Sequence, residues 1–323
     1  MKRGIASGVR LAAGMGLGAV AARAAYAALT RRPPGLNGLP GEDVWGRTNH
    51  RGEPVTLLEG PAFVAGAAAA GLLAPGAAGR TRAAALLAGA GAGVLGGYDD
   101  LAGSGASRGF KGHLTALARG EVTSGAVKIL GIGATGLAAA AVAGSPAPSR
   151  TGRAFDALVN GALIAGSANL MNLFDLRPGR AVKVGLITGA PLALTRSGSA
   201  VVAAPLGAAA ALLPEDLGER AMLGDTGANA LGALLGLAAT RLGRGPRLAV
   251  LAGVAGLNAA SEVVSFTKVI AGNPVLNRVD MLGRRPAAVP APAEKPVTED
   301  AFRPPSVPPQ AGPAGNGVAA GPA

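Results

Sequence analysis

Residues 97–128 read GYDDLAGSGASRGFKGHLTALARGEVTSGAVK. An apolar run from Ala83 to Tyr98 ends here in two adjacent carboxylates, Asp99 and Asp100, and a basic, glycine-punctuated loop follows before the next apolar run. Acids and cations gathered between two apolar blocks predict a metal-capable polar site at a membrane surface.

Outward from this stretch the pattern repeats. Apolar blocks run at roughly 4–29, 61–78, 82–98, 126–143, 154–173, 181–195, 198–213, 226–241 and 247–264. Most are about 16 to 20 residues long, close to what crosses a hydrocarbon core about 30 Å thick at about 1.5 Å per residue. The chain is 49% hydrophobic and only 15% charged, and the apolar positions are mostly Ala and Gly. Such helices are weakly hydrophobic but can approach closely through small residues. The prediction is an all-α, polytopic membrane bundle of about nine transmembrane helices over residues 1–283. The first block, behind Lys2 and Arg3, has features of a signal peptide, but Arg10 and Arg23 interrupt the apolar core such a peptide needs. Residues 284–323, rich in Pro, Ala and Gly, are expected to form a disordered cytoplasmic tail.

Nine crossings put the polar segments 30–60, 99–125, 174–180 and 214–225, and the chain after 265, on one face. With Lys128 and Lys183 at its edge, that face holds the majority of the Lys and Arg residues, which makes it cytoplasmic and the protein a multi-pass protein of the cell membrane. With no cysteine, disulfides, thiolate metal sites and a cysteine nucleophile are excluded; with His50 and His113 the only histidines, carboxylates must hold any metal, which favours a hard cation such as Mg²⁺. The net charge of +12 suits anionic lipid, while 3% aromatic content and the lack of a recognisable motif argue against nucleic acid.

Four constellations fall on the predicted cytoplasmic face. Asp99 and Asp100, neighbours on a helix, point about 100° apart, so different roles suit them: one on a metal or phosphate, one as base, unless both are a solvated helix end. In NLMNLFDLRPGR, Asn169, Asn172 and Asp175 share one side of a helix end, where Asn and Asp can read a base or sugar edge; Asn169 lies deeper and equally suits an interhelical hydrogen bond. In MLGDTGANALG, Asp225 is a metal ligand or a helix N-cap. Arg51, Lys111 and Lys128 suit phosphate oxygens, or are surface charges. Glu262 is an acid near the end of the last apolar block.

The DD pair followed by KGHLTALARG and a later Lys, then NLMNLFD, then GDTG, resembles the polyprenyl-phosphate N-acetylhexosamine-1-phosphate transferases, glycosyltransferase family 4, over roughly residues 45–283. NHRGEPVT, residues 49–56, resembles that family's first cytoplasmic loop. The resemblance implies transfer of a sugar-1-phosphate from a UDP-sugar to a polyprenyl phosphate, with release of UMP and a requirement for Mg²⁺, to make a lipid-linked precursor for the cell envelope. It implies Asp99 and Asp100 as the catalytic acids, Asp225 as the Mg²⁺ ligand, Asn172 and Asp175 in the nucleotide-sugar site with Asn169 beside them, and Lys111, Lys128 and Arg51 on phosphates. A second copy is a candidate homodimer partner. The muramoyl-pentapeptide members carry a histidine cluster in the last cytoplasmic loop, whereas no histidine follows His113 here, and their Asp-Gly-rich segment appears as DLRPGR. The resemblance therefore points away from the pentapeptide substrate. The competing expectation is a non-catalytic carrier or scaffold with the same fold; a carrier would place its Asp and Asn near the bilayer midplane.

Overall fold

The structure is a computed structural model and describes residues 2–49, 51–73, 77–102, 115, 116 and 118–286. One compact unit runs to Arg285. Its long helices are α1 (Lys2–Arg31), α3 (Glu59–Leu73), α4 (Gly79–Ala102), α5 (Ser124–Ala143), α6 (Arg150–Phe174), α7 (Arg180–Ala193), α8 (Arg196–Leu217), α9 (Gly224–Ala239) and α10 (Arg244–Ser261). Short helices α2 (Gly41–Trp45), α11 (Phe266–Gly272) and α12 (Pro274–Met281) lie between and after them. Each of the nine apolar blocks is thus a helix. Among the described residues four helices, α1, α5, α6 and α8, are long and apolar enough to cross a membrane, and a fifth span results if α10 and α11, bent by 99° at their junction, are taken together. The helix α3 is apolar but shorter.

The all-α expectation misses one feature. Strands β1 (Gly46–Thr48) and β2 (Pro54–Thr56) pair antiparallel, Arg47 opposite Val55. Asn49 closes their turn, its Oδ1 accepting from the backbone N–H of Arg51 at 2.8 Å and of Glu53 at 2.9 Å. Backbone bonds from Thr56 to Arg220 and from Met222 to Thr56 fix the hairpin against the segment that leads into α9.

Helix α9 is the axis of the bundle. Every residue in it except Asp225 is buried, and it packs against α3, α4, α5, α6, α7 and α8. A helix apolar on all sides is stable only inside such a ring. Small residues set the spacing elsewhere too: a Cβ on Gly207 of α8 would lie 1.9 Å from the carbonyl oxygen of Met15 in α1, a contact only glycine permits.

Polar contacts sort to the two ends. At one end Arg247 donates to Asp156 at 2.6 Å and to Asn160 at 3.2 Å, and Arg241 donates to Thr81 at 3.2 Å. At the other, the hairpin, the ends of α4, α6 and α8, the start of α9 and the segment after α10 come together. Arg180 grips Asp280 there with two bonds of 2.7 and 3.0 Å, Lys183 donates to the backbone carbonyls of Asp280 and Leu282, and Phe174 stacks on Phe266 with ring centres 5.1 Å apart. Arg284 and Arg285, the first residues of the expected tail, pair with Asp280 and Glu53. The remainder of that expected tail, 287–323, lies outside the described residues.

Candidate functional site

Thr123 begins the site. Its hydroxyl accepts from the Ala126 N–H at 3.1 Å and starts α5 there, which places Lys128 in the second turn, opposite the end of α4. The Lys128 ammonium lies 2.6 Å from Asp99 Oδ2 and 2.5 Å from Asp225 Oδ2, so one cation bridges an acid from α4 and an acid from the start of α9.

Asp100 turns the other way, as neighbours about 100° apart on a helix must. Its Oδ1 accepts from the Asp225 N–H at 3.0 Å; its Oδ2 accepts from the Thr226 N–H at 2.9 Å and hydroxyl at 2.7 Å. A carboxylate on the free N–H groups of a helix start satisfies them and sits at the positive end of the helix dipole. Gly224, with φ of 61°, lets the chain turn into α9 so that those groups face Asp100. Arg47 of β1 donates to the Asp100 carbonyl at 2.8 Å and ties the hairpin to the same point. The approach of α4 to α9 needs Gly96, where a Cβ would stand 2.2 Å from the Asp225 carbonyl oxygen.

Asp175 caps the end of α6, its N–H donating to the Asn172 carbonyl at 3.0 Å. Burial, then repulsion from Asp216, Asp225 and Asp100, pushes its carboxyl well above the usual carboxylate range, opposed by the Gly224 N–H. It lines a cleft of about 280 Å³ with Asn49, Arg177, Asp216, Glu219 and Met222. That volume is at the lower end for a small-molecule site.

The geometry brings Asp99, Asp100, Lys128, Asp175 and Asp225 together, and Asn172 sits one turn before Asp175. It takes Asn169 elsewhere: its amide donates to Asn258 of α10 at 2.6 Å, the interhelical bond its depth also allowed. Arg51 directs its Nε to both Glu219 oxygens, at 3.1 and 2.9 Å, and Nη2 to the Arg285 carbonyl at 3.3 Å, so it braces the hairpin. Glu262 is exposed at the C-cap of α10. Lys111, His50 and His113 lie outside the described residues. The sequence reading missed Arg47, Thr226, Glu59 and Asp216. For Glu59 and Asp216 a signal existed: acids flanked by apolar residues in LLEGPA and LLPEDL.

Asp99 and Asp225 supply two hard oxygen donors that converge on one point, now held by an ammonium. Among the described residues no three Asp, Glu or His side chains are arranged to hold a metal. Magnesium suits this donor set, because it is bound through one or two carboxylates with waters and substrate phosphates completing its shell. No protein-family model matches the chain. No curated protein matches it either.

Proposed function

We propose that the chain is a nine-span membrane enzyme that transfers a sugar-1-phosphate from a UDP-sugar to a polyprenyl phosphate at the cytoplasmic surface, releasing UMP. The observation that carries this reading is the Lys128 bridge between Asp99 and Asp225, beside the cleft and at the end of the bundle where the polar segments meet. A lipid phosphate attacking a pyrophosphate brings two polyanions together, and the chemistry needs fixed positive charge where they meet. Lys128 is such a charge: its two carboxylates hold it in the site, and when they take up a metal its ammonium is released to pair with phosphate. Asp99 and Asp225 would hold Mg²⁺, which when bound offsets phosphate charge and polarises the bond to the leaving UMP. Asp100 fixes the start of α9 and thereby the position of Asp225. Asn172 and Asp175 would face the nucleotide from the cleft, where Arg177 adds a cation.

The membrane setting follows from the chemistry as well. A water-soluble donor and a lipid acceptor meet only at an interface, and acids at helix ends suit that meeting better than acids at the midplane. The test is UMP release from membranes containing the protein, given polyprenyl phosphate, Mg²⁺ and a panel of UDP-sugars. UMP that depends on both substrates and is lost in Asp225→Asn supports the reading; silence across the panel and several lipid lengths sinks it.

A further inference from the structure

Glu59, the first residue of α3, is completely buried, yet neither oxygen of its carboxylate has a hydrogen-bond partner among the described residues. Asp216, near the end of α8 and 3% exposed, shares the condition at Oδ2, its other contact being the Gly179 N–H. The groups that face Glu59 are Asp216 and Glu215 of α8 and Asp175 at the end of α6, with Tyr26 of α1 on the same side. All three charged neighbours are acids. Asp216 also faces Lys183 of α7, Arg284 after α12, and Glu219. The arginines nearest Glu215, Arg23 and Arg220, are paired with it at 2.7 Å each.

A bare carboxylate in a closed site does not persist, and like charges around it raise the cost. Either a metal ion or a proton must neutralise it. Among the described residues no three acids close on a common point as metal ligands, whereas a proton needs a single oxygen. Asp216 lines the cleft, and α3, which begins at Glu59, packs against α8, which carries Asp216 near its end.

We propose that Glu59 and Asp216 form a buried proton-binding site at the floor of the cleft, with Glu59 the resident neutral acid and Asp216 the member through which the proton exchanges. In that exchange the O–H bond of Glu59 breaks, its electron pair stays on the oxygen, and an O–H bond forms on the Asp216 carboxylate. The charge is conserved and no further reactant is needed. The consequence is chemical: an anionic ligand entering among Asp175, Asp216 and Glu219 meets a floor that already holds one proton, and that proton can move onto Asp216 at the cleft, so the ligand's negative charge is not opposed by a full set of carboxylates. This holds whichever anion the cleft takes and does not rest on the transferase reading.

Infrared spectroscopy of the full chain in detergent tests it directly. At neutral pH the wild type should show the carbonyl stretch of a neutral carboxylic acid, and Glu59→Gln should remove it. Should Glu59→Gln fail to fold, Glu59→Asp, which keeps the acid, should move the band without removing it. Thermal unfolding supplies an independent readout. A carboxyl that keeps its proton in the fold stabilises the protein fully at pH values where the unfolded chain is also protonated, and loses this as the unfolded chain ionises on rising pH. Wild type should therefore lose melting temperature between pH 4 and 7 relative to Glu59→Gln, which should be at least as stable at pH 7. No neutral-acid band in the wild type at neutral pH overturns the proposal. So does a wild-type melting temperature that rises with added Na⁺ or Mg²⁺ and loses that response in Glu59→Gln, since the site would then hold a metal cation.

Discussion

At Lys128 the charge balance of the site rests on one side chain. Its ammonium is mostly buried and serves two acids at once, so Lys128→Met leaves Asp99 and Asp225 facing each other without a cation. Breaking a buried pair from one side costs about 3 kcal/mol or more. The variant should be less stable by that amount in thermal unfolding and, on the proposed function, release UMP at least about 100-fold more slowly, as loss of a fixed charge on a phosphoryl transition state does. Asp100 differs although it is the next residue to Asp99: both of its oxygens cap α9. Asp100→Ala should cost about 1 to 2 kcal/mol in thermal unfolding, the range for losing a helix cap, and slow the reaction through the displaced Asp225. Glu53 supplies the pH dependence. Hydrogen bonds from Arg285 and then Asn49 hold its carboxyl at about 2, below its ordinary value of 4.5. A lowered carboxyl stabilises the fold above the unfolded value and ceases to as pH falls through the folded one, so the Glu53–Arg285 contact is complete at pH 5 and released toward pH 2. A carbon-detected titration of the Glu53 carboxyl should show a midpoint near 2, returning toward 4.5 in Arg285→Gln. A midpoint already at the ordinary value in wild type would rule the contact out in solution.

Helices and their meeting points were unevenly legible in the sequence. All nine apolar blocks are helices, because a run of Ala, Gly and Leu in a helix satisfies its backbone within the segment, without water or a partner strand. The hairpin escaped notice because three residues per strand are too few to display a two-residue alternation. Asp99, Asp175 and Asp225 could be placed on one face by counting crossings, but the split between Asp99 and Asp100 depends on where α9 begins, which is a tertiary fact. The contacts of Arg51 were hidden for a similar reason: its partners, Glu219 and Arg285, are 168 and 234 positions away. Glycine meaning was also hidden. Gly96 sits in a run of small residues and looks interchangeable with Ala, yet a Cβ there would be 2.2 Å from the Asp225 carbonyl oxygen. Gly96→Val should therefore push α4 off the start of α9, cost about 1 to 3 kcal/mol as overpacking does, and weaken both the Lys128 bridge and the Asp100 cap. Gly71→Val, at a position with nothing within 4 Å, is the control and should leave the melting temperature unchanged.

For the whole molecule the open quantity is the number of crossings, and length alone does not decide it. Helix α9 has 16 residues and α7 has 14, both short for a lipid-exposed span. However, α9 is ringed by α3 to α8 and meets little lipid, so the bilayer's thickness does not set its length. Helices inside a bundle can be shorter than those at its rim because their ends are covered by neighbouring chain. The sorting of polar contacts gives the stronger argument. The nine crossings proposed above put the hairpin, Asp175, Asp216 and Asp225 at one end with Asp99 and Asp280, which is where the fold has them. A chain without cysteine allows this to be measured by single-cysteine labelling in oriented membranes. Cysteines at Asn49, Arg177 and Arg220 should react with a membrane-impermeant reagent from the cytoplasmic side. Those at Ser145, Arg196 and Gly243 should react only from the other. Labelling of Arg196 and Arg177 from the same side would remove α7 as a crossing and with it the nine-span topology. The same side for Asn49 and Ser145, with opposite sides retained elsewhere, would show instead that the first loops are misassigned.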